Sequence, residues 1–207
     1  LSDGTLVNNP AWQPADGAVH GSLLLPQNGS TDSVRCGSAL NLASRSFTVS
    51  AWARRMATGA YHMLLSQGTA STNKGMFIGF RSNDKFTFGF WNNDMDTPSA
   101  YADSDWNYWV CTYDAPTKAR KIYRNGALVA SGTAASDFLG TGNFYIGRSP
   151  NTDYFKGGID EVAVYDCALT AEQISEHYQL ALQEMPSVAL SAPVAGTKYV
   201  APATIAL

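Results

Sequence analysis

Short runs of apolar, β-branched and aromatic residues recur along most of the chain, and turn-forming residues separate them. These runs follow one another without an intervening helical pattern, which is typical of an antiparallel sandwich. We expect strands at residues 22–26, 46–55, 61–68, 75–81, 85–91, 108–114, 120–132, 143–148 and 159–166. The chain is therefore predicted to be all-β, with two antiparallel sheets packed face to face.

One pair of strands can be assigned from its turn. The run RKIYRNGALVA is interrupted by Asn125-Gly126, and both residues tolerate the positive φ that a type I′ turn requires. This predicts a hairpin centred on that pair.

Alternation within two runs separates core positions from outer positions, because successive side chains of a strand point to opposite faces. Two tryptophans, Trp52 and Trp91, have the parity opposite to the apolar series of their runs, where a sandwich meets solvent or a cover of loops. The series predicted to face the core comprise Phe47, Val49 and Ala51 in the first run and Phe86, Phe88 and Phe90 in the second.

A single helix is predicted near the C-terminal end. Thr170 and Gln173 have the capping-box spacing, and apolar residues then recur at helical intervals, so the helix should span about 171–184 and end before Pro186. From residue 186 the composition shifts to Ala, Val, Pro and Ser. We therefore predict one domain over 1–185, followed over 186–207 by a linker or the first strands of another domain.

Composition excludes some classes of function. The net charge is −3 and no cluster of Lys and Arg is present, which argues against a nucleic-acid partner. No apolar run is long enough to span a membrane. Three cysteines allow at most one disulfide, and each is expected to be a buried thiol; Cys111 shares its parity with Trp109 and Tyr113 and should be inert in the core.

Several segments resemble a known family. They are GTLVNNPAW (4–12), DSVRCGSALNLASRSFTVSAWAR (32–54), DWNYWVCTYD (105–114), KIYRNGALVASG (121–132), YIGRS (145–149) and FKGGIDEVAVYDCALTAEQISEHY (155–178). In this order they resemble the laminin-G-like, concanavalin A-like jelly-roll domains of secreted multidomain proteins, especially bacterial ones.

The resemblance carries several implications. It implies a two-sheet jelly roll with one short C-terminal helix, in a protein that is secreted or on the cell surface. The family's first strand and its Asp-x-Ser-Gly-Asn-like turn are not found before LSDGTL, and the tail from residue 186 resembles the opening strands of bacterial immunoglobulin-like domains. Neighbouring domains of a longer chain are therefore expected partners.

The adjacent acids Asp160 and Glu161 raise the question of catalysis. Neighbouring strand residues point to opposite faces, so the two carboxylates are not expected to converge on one bond as a glycosidase pair does. The jelly-roll glucanases that the chain resembles carry Glu-x-Asp-x-x-Glu or Glu-x-Asp-x-Glu strands, and GIDEVAVYD matches neither. Because a Gly-x-Ser-x-Gly elbow is also missing, no catalytic residues are predicted.

The resemblance also suggests a metal. Family members sometimes hold a structural calcium ion near this Asp, and hard oxygen ligands such as Asp160 and Asp3 would suit it. In the alternative, Asp160 accepts backbone hydrogen bonds that fasten the terminal strands. Both alternatives are left open at this stage.

Two predicted loops, one from Trp91 to Tyr101 and one from Arg148 to Tyr154, supply the groups that sugar recognition needs. These groups are flat aromatic faces together with amides and carboxylates. The same residues are also typical of turns and of the edge of a sandwich. The candidate ligand-binding residues are Trp91, Asn92, Asp94, Tyr101, Arg148, Asp153 and Tyr154.

These observations lead to three functional hypotheses. The first is a non-catalytic module that binds carbohydrate or glycoconjugates, or mediates adhesion, in a secreted or surface protein. The second is a structural spacer or protein-interaction module. The third, less favoured, is a polysaccharide-cleaving enzyme on the same fold.

Overall fold

The computed structural model describes residues 4–26 and 31–184. Asp3, and the tail from residue 186 for which immunoglobulin-like strands were predicted, lie outside this range. The described elements are, in chain order, β1 (Thr5–Val7), β2 (Ala11–Gln13), β3 (Ser22–Leu25), β4 (Ser33–Arg35), β5 (Phe47–Arg55), β6 (His62–Gly68), β7 (Gly75–Phe80), β8 (Lys85–Gly89), β9 (Asp94–Ala100), β10 (Asn107–Asp114), β11 (Ala119–Arg124), β12 (Ala127–Thr133), β13 (Phe144–Ile146), β14 (Gly157–Tyr165) and α1 (Ala171–Glu184).

The strands form two seven-stranded sheets. The first sheet has the order β1-β4-β13-β6-β7-β8-β9, and the second has the order β12-β11-β10-β5-β14-β3-β2. Neighbouring strands pair antiparallel in both sheets, as in β5 with β10 and β6 with β7. The predicted all-β antiparallel sandwich with one C-terminal helix is confirmed.

Aromatic residues of the two inner faces meet between the sheets. Phe47 of β5 packs against Phe88 and Tyr113, with ring centres 6.0 and 5.6 Å apart, and the Phe86 ring is stacked on Trp109 at 3.9 Å. The core positions that alternation predicted are all buried.

The predicted hairpin and helix are present with their expected local chemistry. Asn125 and Gly126 have φ of 52° and 80° between β11 and β12, as a type I′ turn requires. At the start of α1, the backbone N–H of Gln173 donates to Thr170 Oγ1, and the backbone N–H of Thr170 donates to Gln173 Oε1 at 2.9 Å. This reciprocal pair is the capping box.

Helix α1 packs on the outer face of the second sheet. Trp52 is only 2% exposed because its ring clusters with those of Tyr108, at 5.5 Å, and of Tyr178 of the helix, at 5.7 Å. Ile174 is completely buried in the same cluster. The cover over Trp52 is therefore mainly a helix, where parity alone predicted solvent or loops.

Four strands were not predicted from the sequence. Three of them, β1, β2 and β4, have only three residues, and the fourth is β9, whose sequence is DMDTPSA. The segment from Trp91 to Tyr101 was expected to be a loop, and that expectation is wrong. Strand β9 is the edge of its sheet, where Pro98 and outward-facing acids are tolerated because one side of the strand needs no hydrogen-bond partner.

The three cysteines differ in their environments. Burial raises the pKa of the Cys111 thiol well above its usual value, consistent with the inert core residue predicted. Cys36 is half-buried, whereas Cys167 is exposed after β14, so the expectation of a buried thiol is wrong for Cys167.

Candidate functional site

A pocket opens on the outer face of the first sheet, the face that points away from the core. Its volume is about 270 Å³, near the lower end of the range for small-molecule sites. We call it the outer pocket. It is lined by Tyr61, Met63, Phe77, Arg81, Trp91, Asn92, Asp94, Ser149 and Asp153.

The floor of the outer pocket is apolar. Phe77 alternates with the core residues of β7, so its ring lies on the outer face, where it is 6% exposed. Gly89 of β8 leaves room for it, because a Cβ there would lie 2.4 Å from the Phe77 ring and 2.5 Å from Asp94 Oδ1. Met63 of β6 completes this surface.

Charged groups line one side of the pocket. Arg81 donates from Nε to Asp96 at 2.7 Å and from Nη2 to Asp94 at 3.0 Å, and its guanidinium lies 5.7 Å from the Phe77 ring centre. Burial alone would lower the pKa of Arg81, but the hydrogen bonds that it donates to Asp96 and Asp94, with the charges of both carboxylates, outweigh burial and raise that pKa. Arg81 is thus a neutralised, fixed cation.

The turn between β8 and β9 carries backbone strain. Trp91 and Asn92 have φ of 57° and 59°, in the left-handed region. Asn adopts this conformation readily, but for a bulky residue such as Trp it is an outlier that costs on the order of 1–3 kcal/mol. The indole stands edge-to-face on Phe77, with ring centres 5.9 Å apart. The strain therefore places an aromatic side chain at the edge of the pocket.

Buried polar groups hold this turn from behind. Arg120, 3% exposed, donates to the Asn93 carbonyl at 2.6 Å, and the Asn93 amide donates to Asn73 Oδ1 at 2.8 Å. The Asn73 N–H in turn donates to the Trp91 carbonyl at 3.1 Å. The turn is thus fixed before any ligand arrives, which lowers the entropic cost of binding.

The opposite wall is the loop that follows β13. Ser149 Oγ accepts the N–H groups of Asn151 and Asp153, at 3.1 and 3.2 Å, and donates to the Asp153 carboxylate. An isolated bridge between Arg148 and Tyr154 closes the loop. Its compact hydrogen bonding sets the Asp153 carboxylate at the pocket wall.

The structure brings together four of the seven predicted ligand-binding residues, namely Trp91, Asn92, Asp94 and Asp153. Tyr154 lines an adjoining groove, and the Arg148 guanidinium lies over its ring at 5.4 Å instead of lining the pocket.

Tyr101 does not belong to the outer pocket. Strand β9 lies between Asp94 and Tyr101, and at about 3.3 Å per residue it separates them by roughly 20 Å. The Tyr101 ring instead packs edge-to-face on Trp109 at 5.1 Å. Its prediction as a ligand-binding residue followed from the incorrect loop prediction, and the structure does not bring it together with the other candidates.

The sequence analysis missed five of the lining residues, namely Tyr61, Met63, Phe77, Arg81 and Ser149. One signal was present, because the run MFIGF is apolar at both parities, and a strand with apolar residues on both faces has something covering each face. The remaining residues come from separate segments and meet only through the order of the strands.

The pair Asp160-Glu161 lies elsewhere, in β14 of the second sheet. Glu161 has φ of 46°, and the register with β5 shifts between Asp160 and Ala163, which marks a β-bulge. Asp160 is paired with Trp52 on the outer face, and Glu161 lines a cavity on that same face. Simple parity, which predicted opposite faces, is therefore wrong at this position because the bulge adds a residue.

Asp160 fastens a loop to the sheet. Its Oδ2 accepts the amide N–H groups of Ala18 and Val19, at 2.9 and 3.1 Å, and its Oδ1 accepts that of Glu161 at 2.8 Å. Three N–H donors stabilise a carboxylate, but their partial positive charges would repel a cation bound beside it. In the described part of the chain, no group of three or more His, Cys, Asp or Glu residues could hold a metal. Calcium here stays a prediction, because Asp3 is outside the described residues.

Sequence comparison places the fold in a family. A family model described as the concanavalin A-like lectin/glucanases superfamily, laminin G type, matches residues 28–175. The chain belongs to this family. No curated protein sequence matches it.

Solved structures share the fold at low sequence identity. Domain 4 of AbnA, an extracellular GH43 arabinanase from Geobacillus stearothermophilus solved with arabinotriose, has a TM-score of 0.67 at 21% identity, over 84% of this chain and 86% of that one. The CBM40 of the Ruminococcus gnavus IT-sialidase, bound to α2,3-sialyllactose, has a TM-score of 0.55 at 19% identity, over 66% and 83%. The binding domain of botulinum neurotoxin serotype G has a TM-score of 0.61 at 14% identity, over 86% and 47%.

These neighbours are mostly binding domains rather than catalytic ones. Among the described residues, α1 is too short and too polar to be a membrane-spanning helix.

Proposed function

We propose that the protein is a non-catalytic carbohydrate-binding module that takes a neutral sugar in the outer pocket, within a secreted or surface multidomain protein. The single observation that carries this proposal is Trp91, a bulky residue held at φ of 57° by buried hydrogen bonds. Strain of this kind persists where the surrounding structure enforces it, and it clusters at ligand sites.

The chemistry of the pocket suits a sugar ring. Trp91, half-buried at the pocket edge and supported by Phe77, offers apolar ring surface for the C–H groups of a sugar, and the Asn92 amide and the Asp94 and Asp153 carboxylates can bind hydroxyl groups. The pocket combines an apolar floor with a polar rim, and its volume of about 270 Å³ has room for one sugar ring.

The charges favour a neutral sugar over an acidic one. Arg81 is the one cation among the pocket-lining residues, and Asp94 and Asp96 both engage it. Asp153 adds a further negative charge at the wall. A carboxylate-bearing sugar would meet net negative charge with no available cation, and like charges disfavour binding.

The relatives support the class of function without naming the ligand. The arabinanase domain was solved with arabinotriose and the CBM40 with sialyllactose, so this fold presents sugar sites in both. At these identities the likeness extends to the fold alone, and the choice of a neutral sugar is based on the charges of this chain.

A glycan array with three proteins tests the proposal. The wild type and the control Trp12→Ala should bind the same neutral glycans, because Trp12 is an exposed aromatic residue on β2 of the other sheet. Trp91→Ala should lower the affinity by about tenfold or more, the size of a lost aromatic anchor. A silent array, or equal binding by Trp91→Ala, would overturn the proposal and favour a spacer module.

Catalysis is tested separately. We expect no release of reducing sugar from any polysaccharide that the module binds. Sustained release that persists in repeated preparations would contradict the non-catalytic assignment.

A further inference from the structure

We infer that the groove next to the outer pocket is a second sugar subsite, so that the module binds oligosaccharides rather than single sugars. This inference rests on the proposed function. The groove has a volume of about 690 Å³ and is lined by Thr31, Gly59, Ala60, Tyr61, His62, Ser82, Thr152, Asp153, Tyr154 and Lys156. We call it the adjoining groove.

The two spaces adjoin each other. Tyr61 and Asp153 line both the outer pocket and the adjoining groove. A linear saccharide with one ring against Trp91 therefore has its next ring directed past these two residues.

Aromatic faces are available along this path. Tyr61 is 44% exposed, and none of the ring contacts in the described chain involves it. Tyr154 is half-buried, and the Arg148 guanidinium supports its ring while also lying 4.8 Å from the Tyr145 ring. The Arg148 side chain is thus a positioning residue that fixes Tyr154 at the groove.

A buried histidine and a lysine also line the groove. His62 is 1% exposed, and neither ring nitrogen makes a hydrogen bond of good geometry, although the Tyr154 backbone lies close enough to act on its pKa. Because both ring nitrogens are buried, His62 shapes the wall of the groove and is not itself a ligand contact. Lys156 adds a cationic donor at the same wall.

The two subsites differ in charge. The outer pocket has Asp94 and Asp153 around a neutralised Arg81, whereas the groove has Lys156 opposite Asp153. The groove therefore tolerates a wider range of sugars than the pocket does. Specificity is set in the pocket, and the groove contributes affinity through chain length.

Calorimetric titration with two neutral series tests the inference, using arabinose, arabinobiose and arabinotriose beside glucose, cellobiose and cellotriose. In at least one series the trisaccharide should bind about tenfold or more tightly than the monosaccharide, because a second ring adds aromatic and hydroxyl contacts. Ala60 is exposed and lines only the groove, so Ala60→Trp should fill the groove without altering the outer pocket.

The variants separate the two subsites. Ala60→Trp should abolish the gain with chain length and leave monosaccharide affinity within about threefold, while the matched control Ala60→Ser should keep the gain. Tyr61→Ala should reduce the trisaccharide affinity more than the monosaccharide affinity. Monosaccharide binding without any gain from length, or a gain that Ala60→Trp leaves intact, overturns the second subsite while the proposed function stands. If no sugar of either series binds, the titration is repeated with mono-, di- and trisaccharides of the neutral glycan that the array selects, and a silent array overturns the proposed function and the second subsite together.

Discussion

Each outer face of the sandwich carries a tryptophan whose parity is opposite to that of the core residues in its run. The two tryptophans nevertheless lie in different environments. Trp52 on the second sheet lies under α1 and is 2% exposed, in a cluster with the rings of Tyr108 and Tyr178. Trp91 on the first sheet is half-buried in a strained turn at the edge of an open pocket. One face is covered by a helix, which buries its tryptophan, whereas the other is left open and is the face on which we propose sugar binding.

The closed face also contains a cavity, of about 230 Å³, but its chemistry differs. The ring of Trp52 already packs on two other rings, and the His177 ring is stacked on Tyr165 at 5.6 Å. A sugar needs an unoccupied aromatic face. An outward tryptophan is therefore a candidate ligand contact only where no other element of the fold covers it.

The largest expected effect is on the closed face. Trp52→Ala should lower the free energy of unfolding by about 3–5 kcal/mol, because it removes a large buried ring and leaves a cavity beneath α1. Chemical denaturation measures this. The glycan affinity of the remaining folded protein should be unchanged. A selective loss of glycan binding would show that the sugar site lies on the closed face and not on the open one.

On the open side, the buried His62 makes stability depend on pH. Burial first, and then the charges of Arg55 and Lys156, lower its pKa from 6.5 to about 4, against an opposing effect of Asp84. The unfolded chain takes up this proton near pH 6.5 and the folded chain only near pH 4, so stability falls as pH drops through that window. At about 1.4 kcal/mol per pKa unit, the loss approaches roughly 3 kcal/mol.

Urea denaturation at pH 7 and at pH 4.5 measures this loss. His62→Gln should show a smaller difference between the two pH values, since Gln does not titrate. Equal pH dependence of wild type and variant would contradict the assignment of the effect to His62, and would point to the carboxylates instead.

A medium effect is expected at Asp160, again on the closed face. Asp160→Ala leaves the amide N–H groups of Ala18, Val19 and Glu161 without their acceptor, which should cost about 1–3 kcal/mol. The neighbouring Glu161→Ala is the control and should change stability by about 0.5 kcal/mol or less, because Glu161 is exposed.

The same two variants test the calcium prediction. Calcium bound at Asp160 predicts a Tm that rises with calcium, falls with EDTA and no longer responds in Asp160→Ala. Hydrogen-bond fastening alone predicts a Tm that is independent of both additions.

The smallest effect concerns the strain at the open face. Trp91→Ala and Trp91→Gly both remove the indole, but Gly accepts φ of 57° and Ala does not. Trp91→Gly should therefore be more stable than Trp91→Ala by about 1 kcal/mol in thermal denaturation. The reverse order would show that residue 91 does not occupy the left-handed region.

Local chemistry made much of the fold predictable from the sequence. The Phe series of β8, the Asn125-Gly126 turn and the Thr170 to Gln173 capping box each depend on residues a few positions apart, and each is confirmed. Strand β9 was missed because its polar, proline-containing sequence resembles a loop, and only its pairing with β8 makes it a strand.

The site was predictable only in part, for a related reason. Trp91, Asn92 and Asp94 are close in sequence and were found together, whereas Arg81 and Tyr61 reach the pocket through strand order. The bulge at Glu161 was likewise hidden, because a bulge is defined by the register of a partner strand distant in sequence.

A proton–nitrogen correlation NMR titration with the neutral glycan that gives the strongest array signal would locate the binding face directly. We expect the amides of Tyr61, Trp91, Asn92 and Asp153 to shift as the pocket fills, while those of Trp52 and of α1 stay in place. Shifts concentrated at Trp52, Glu161 and α1 would contradict the assignment, and so would a titration that moves no amide of the first sheet.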